Sequence, residues 1–138
     1  MSPAEDMKPD AGEQRRTVLL VEDEVLVRMT LGEDLRDAGY VVIEAANADE
    51  ARRLILAGIE FDLLVSDITM PGELDGASLA LWLSEQHINT PIVLTSGLPT
   101  ALQAAKASCA NVDAFVPKPF DHTEFLRKVE ALIGKRSG

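Results

Sequence analysis

Glu22 and Asp23 follow the apolar run TVLLV, Asp67 follows LLVS, Thr95 and Ser96 end PIVLTS, and Lys118 comes directly after AFVP. Each of these chemically able side chains stands where a hydrophobic segment gives out. Brought together, the three carboxylates would repel one another and rise in pKa unless a cation neutralised them. The chain has no histidine or cysteine cluster for zinc or copper, and a few oxygen ligands with open positions suit Mg2+, with Mn2+ as a substitute. An ionised Asp beside such an ion is already a nucleophile and needs no general base. With Lys118 and the metal neutralising charge on a transferring phosphoryl group, the chemistry expected is formation of an acyl phosphate on Asp67. Competing phosphate devices are missing: there is neither a G-x-x-x-x-G-K-[ST] loop nor a G-x-G-x-x-G after the first apolar run.

Gathering these residues requires a particular set of elements. TVLLV (17–21) is a continuous β-branched and aliphatic run, the mark of a strand covered on both faces, and YVVIEA (40–45), FDLLVS (61–66), PIVLTS (91–96) and DAFVP (113–117) resemble it. Between the runs the period becomes helical. Val25, Met29, Leu31, Leu35 and Ala38 recur at helical intervals and Gly39 supplies a stop; Asn47 with Glu50 forms a capping box before ADEARRLILA, which Gly58 ends. GASLALWLSEQH, TALQAAKAS and DHTEFLRKVEALIG complete five helices, the last with Phe125, Val129, Leu132 and Ile133 on one face. Regular alternation predicts an α/β fold with a parallel sheet and helices on both faces. The size suits a flavodoxin-like doubly wound (βα)5 arrangement in strand order 2-1-3-4-5, whose ligand site lies at the carboxyl ends of the strands. That order brings the ends of strands 1, 3, 4 and 5, and so all the residues above, to one edge.

With 46% hydrophobic residues the 138-residue chain has enough material for one domain with a proper core. The predicted organisation is a flexible leader over 1–16, one domain over 17–134 and a short tail over 135–138. A formal charge of −10 argues against an electrostatic grip on nucleic acid or anionic lipid. No apolar run is long enough to cross a bilayer and no signal peptide opens the chain, so the cytoplasm is the expected compartment. Cys109 stands alone and is expected to pack, as is Trp82; His87 and His122 are expected at exposed helix ends.

VEDE with its acidic pair, SDITMPGELDG with Asp67, VLTSG with Thr95 and PKPF with Lys118 are each weak signals, but in this order and spacing they are specific. Over 17–134 the chain resembles the receiver domain of two-component response regulators. The resemblance implies that Asp67 accepts a phosphoryl group from a sensor histidine kinase or histidine phosphotransfer protein, with the receiver catalysing both this transfer and its later self-dephosphorylation, and turning over no external substrate. It implies Asp23 as a direct Mg2+ ligand, Glu22 as its partner through water, the backbone carbonyl of Thr69 as a further ligand, and Thr95 and Lys118 as binders of phosphoryl oxygens. The output it implies is a changed protein-binding surface on helix 4, strand 5 and helix 5, with pairing of two copies on phosphorylation. Two features depart from the family pattern. The loop GELDG is one residue longer than the common GxDG, past the metal-binding turn. Phe115 stands where many members carry a switch Tyr or His, so its movement would be read through packing alone.

Singly, each residue has a plainer explanation: Glu22 and Asp23 as helix caps, Thr95 as a β-branched strand residue, Lys118 as a solvated charge, Phe115 as core. Asp67 resists one, since a carboxylate after LLVS is costly if buried and unpaired. A chain that stops soon after its fifth helix is expected to be a stand-alone receiver, with a fragment of a larger regulator or hybrid kinase as the alternative. A phosphorylation-independent interaction module is the other-class reading, disfavoured by the complete set of site residues. A magnesium phosphatase is disfavoured because Thr69 stands where its second Asp should be.

Overall fold

Strand and helix alternate along the whole domain in the computed structural model, which describes residues 15–70, 72 and 74–134. The elements are β1 (Thr17–Val21), α1 (Val25–Asp37), β2 (Val41–Ala45), α2 (Ala48–Leu56), β3 (Leu63–Asp67), α3 (Gly76–Glu85), β4 (Ile92–Ser96), α4 (Pro99–Ser108), β5 (Ala114–Pro117) and α5 (His122–Ile133). The leader expected over 1–16 lies outside the described residues except for Arg15 and Arg16, as does the tail 135–138. All strand pairs are parallel and the sheet runs β2-β1-β3-β4-β5, the flavodoxin-like doubly wound order.

The continuous apolar runs are explained by two cores, one on each face of the sheet. Along β1, Val18 and Leu20 point into a cluster with Leu31 and Leu35 of α1 and Phe125 and Val129 of α5. Leu19 and Val21 point the other way, into a cluster with Leu79 and Leu83 of α3, Ala48 and Ala51 of α2 and Leu102 of α4. A strand of this kind cannot alternate apolar with polar residues, because neither face meets water. Cys109 packs in the second cluster and Trp82 against it.

The second run is covered on both faces, though least completely: Val42 packs against one core and Ile43 and Ala45 against the other, while Val41 at its start is 41% exposed. The helical repeat in α1 does not mark one buried face. Leu31 and Leu35 are buried with Gly32, whereas Val25 and Met29 are more than half exposed and Ala38 is exposed. The first turn of α1 follows directly from the carboxyl edge of the sheet, where the strands beneath it have ended. Apart from β1, the strands also start later than the apolar runs. Asp62 and Asp113 precede β3 and β5, and their carboxylates accept from Thr17 N (2.7 Å) and Ile92 N (2.9 Å), so they serve the open amino ends of neighbouring strands.

Helix boundaries follow local chemistry. Gly39 and Gly58 take positive φ at the ends of α1 and α2, a conformation open to glycine. Asn47 caps α2 by accepting from Glu50 N at 2.8 Å, while the Glu50 carboxylate accepts from Ala46 N rather than from the cap itself. Asp75 caps α3 through Ser78 N at 2.7 Å, and Asp121 caps α5 through Thr123 N.

Candidate functional site

The strand register assembles the site. Asp67, the last residue of β3, lies directly beside Thr95 of β4; Thr95 pairs with Val116 and Ser96 with Pro117 of β5. Backbone bonds continue the sheet one step past the strands, from Glu22 N to Ala45 O (3.1 Å), Ile68 N to Thr95 O (2.8 Å) and Lys118 N to Ser96 O (2.8 Å). Glu22, Ile68 and Lys118 are therefore held by hydrogen bonds of the sheet although they lie past the strand ends. Gly76 sets the floor. Its N–H donates to Ile68 O at 3.0 Å, and a Cβ there would sit 2.2 Å from the Asp67 carbonyl oxygen, so the start of α3 packs against Asp67 only if residue 76 lacks a side chain.

Lys118 ties the acids together. Its ammonium lies 2.8 Å from Glu22 Oε1 and 3.1 Å from Asp67 Oδ2. The remaining oxygens also have partners: Glu22 Oε2 accepts from Glu24 N at 3.1 Å and Asp67 Oδ1 from Thr69 N at 3.2 Å. Glu22 is 1% exposed and Asp67 7%, while Asp23 is only half-buried. Burial pushes the Glu22 carboxyl above its ordinary range; the bonds from Lys118 and the Glu24 N–H oppose this, and the nearby Asp67 charge reinforces it. Burial also acts to lower the Lys118 pKa, but the bonds to Glu22 and Asp67 outweigh it and the ammonium is held charged.

Glu22, Asp23 and Asp67 each offer an oxygen within 4.8 Å of the others. Lys118 offsets one of three negative charges, which leaves a pair of charges for a divalent cation to neutralise. The donors are all oxygen, as a hard ion such as Mg2+ requires. Thr69, whose carbonyl was expected as a further ligand, is an exposed residue two positions past Asp67. Thr95 is 2% exposed, one strand over from the acceptor carboxylate. Phe115 is half-buried against the core, and the Lys106 ammonium of α4 lies 5.9 Å from its ring centroid. Lys118 also lines an open, mostly apolar cleft of about 410 Å3 with Val27, Gly97, Pro119, Phe120 and His122.

The structure adds partners that sequence patterns did not reveal. His122 Nδ1 lies 2.5 Å from Asp34 Oδ2, joining α5 to α1, although His122 is otherwise the exposed helix-end residue expected. Arg28 donates to the Glu22 carbonyl at 2.7 Å and to Glu44 Oε1 at 3.2 Å. The signal for that contact was Glu44 itself, the one charge in the strand VVIEA, which needs a cation on the helix covering it.

The chain matches the sequence profile of the response regulator receiver domain over residues 18–130. It is 36% identical to protein PetR of Rhodobacter capsulatus over 84% of this chain and 48% of PetR. It is also 36% identical to sensor kinase CckA of Brucella abortus, over 87% of this chain and 13% of CckA. It thus spans about half of the first relative and a small part of the second. Among solved structures it is similar to the receiver domain of Francisella response regulator 1452, with a TM-score of 0.77 at 29% identity, covering 86% of this chain and 97% of that one. It is similar too to response regulator protein TrrA of Thermotoga maritima, solved in complex with Mg(2+)-BeF, with a TM-score of 0.75 at 29% identity over 85% of this chain and 98% of that one. The strand-end site, the profile match and the shared fold agree, and the chain belongs to the response regulator receiver domain family of two-component systems.

Proposed function

We propose that this receiver accepts a phosphoryl group on Asp67 from the phosphohistidine of a sensor histidine kinase or histidine phosphotransfer protein. The observation that carries the proposal is the pairing of a nearly buried Asp67 carboxylate with Lys118, beside two further acids, at the carboxyl edge of the sheet. An Asp67 oxygen forms the new O–P bond as the N–P bond of the donor breaks, and the electron pair returns to the imidazole nitrogen. Lys118 would pair with a phosphoryl oxygen, and Thr95 on the neighbouring strand would donate its hydroxyl to another. Glu22, Asp23, Asp67 and the Thr69 carbonyl would hold Mg2+, or Mn2+ in its place. When bound, the ion neutralises charge that builds on the transferring group. Later attack by water would return the free carboxylate, so the domain, taken as residues 17–134, turns over only its own phosphate.

Once Asp67 is phosphorylated, Lys118 must exchange part of its pairing with Glu22 and Asp67 for phosphoryl oxygens. Its backbone is bonded to Ser96 and continues β5, so the change is felt along β5 and at the starts of α4 and α5. Phe115 would move inward and lose Lys106 from its ring, altering the α4–β5–α5 face that a downstream protein or a second copy of the chain reads. Acetyl phosphate with Mg2+ tests the chemistry. The native protein should gain one phosphoryl group and Asp67→Asn none; equal labelling of both would place the acceptor elsewhere.

A further inference from the structure

Arg28 takes no part in the chemistry above, yet from the start of α1 it is bonded to the loop that carries the acidic pair. We infer that Arg28 is a positioning residue for Glu22 and Asp23, holding the peptide between them so that the pair presents its oxygens to a cation. The inference rests on reading the acidic cluster as a Mg2+ site.

The Glu22 N–H is bonded to Ala45 O at 3.1 Å, and its carbonyl oxygen receives Arg28 Nη1 at 2.7 Å. That carbonyl and the Asp23 N–H belong to one planar group. Fixing the oxygen therefore fixes the plane from which the Asp23 side chain departs. Asp23 is the half-buried member of the cluster, so it has the least packing of its own to hold it.

A bare guanidinium beside a divalent site would repel the ion. Here Glu44 offsets part of that charge: Arg28 Nε lies 3.2 Å from Glu44 Oε1, and the same carboxylate also accepts from Arg36 Nη2 through Oε2 at 2.9 Å. The network thus delivers a hydrogen bond to the metal loop with part of its charge already offset. Gly32 is the second sign that the network is built in. A glycine in a helix interior weakens the helix relative to alanine, but a Cβ at this position would meet Arg36 Nη1 at 3.0 Å and Glu44 Oε2 at 3.1 Å. The space that a side chain would fill is taken by the ion pair that aims Arg28. Lysine could not replace it, since only the forked guanidinium reaches the Glu22 carbonyl and Glu44 at once.

The test is calorimetric titration of the full chain and its Arg28→Met and Arg28→Lys variants with MgCl2 alone. Amide hydrogen exchange at Glu24 is followed in the metal-free proteins. Arg28→Met should weaken Mg2+ binding about tenfold, the scale of losing a group that orients a ligand, with faster exchange at Glu24, whose N–H donates to Glu22 Oε2. Arg28→Lys, which keeps the charge and the stem, should remain several-fold weaker than the native protein, and it carries the test if the Met variant does not fold. Unchanged or tighter binding in the variants, as relief of repulsion alone would give, overturns the role of Arg28. The same holds for a lower unfolding midpoint with native affinity. A native protein that binds no Mg2+ would instead overturn the metal site itself.

Discussion

Lys118 and Glu22 both make the fold less stable as pH rises, each in its own pH range. The folded-state pKa of Glu22 is raised, so above its ordinary value of 4.5 the native protein binds the proton more tightly than the unfolded chain, and this group's contribution makes stability fall as pH rises to the raised value. Lys118 is also raised, but as a base. Its contribution is fully present below its ordinary 10.5 and is lost as pH climbs through the folded value. In metal-free protein, Glu22→Gln should therefore remove a decline in thermal midpoint that begins above pH 4.5, while weakening Mg2+ binding. Lys118→Met leaves two buried carboxylates facing each other and should cost about 3 kcal/mol in urea unfolding at neutral pH. Added Mg2+ should restore part of that loss, because it supplies the missing positive charge. A variant as stable as the native protein would mean that Lys118 is a bystander.

At the level of elements, the seam between β3 and α3 is the least forgiving part of the fold. Gly76→Ala forces a Cβ against the Asp67 carbonyl, a backbone atom that cannot swing aside, so about 1–3 kcal/mol of destabilisation and weaker Mg2+ binding are expected together. Asp75→Ala removes only the cap of α3 and should cost about 1 kcal/mol, with Mg2+ affinity kept. The alternation of strands and helices was legible because apolar runs and helical periods differ in kind. The ends of the elements were less so: Asp62 and Asp113 sit inside apolar runs but serve neighbouring strands, a role that depends on sheet register. Met29 and Val25 misled for a related reason, since periodicity describes a helix without saying how far the sheet extends beneath it.

For the whole molecule, strand order turns residues from 22 to 118 into neighbours. That much was readable, because the ends of β1, β3, β4 and β5 must share one edge in the order found. The side-chain partners were not. Arg28 with Glu44 and His122 with Asp34 depend on how α1 is rotated against β2 and α5, which no spacing rule fixes. Because the proposed cation binds only the assembled edge, Mg2+ at one hundred times its Kd should stabilise the native fold by about 2.7 kcal/mol and leave Asp67→Asn stabilised much less. The most direct measurement is intact mass after incubation with acetyl phosphate and Mg2+, followed by peptide mapping. One added phosphoryl group is expected, on Asp67, lost when Asp67 is Asn and not formed when Mg2+ is chelated. A native protein that stays unmodified, or that carries the group elsewhere, would contradict it.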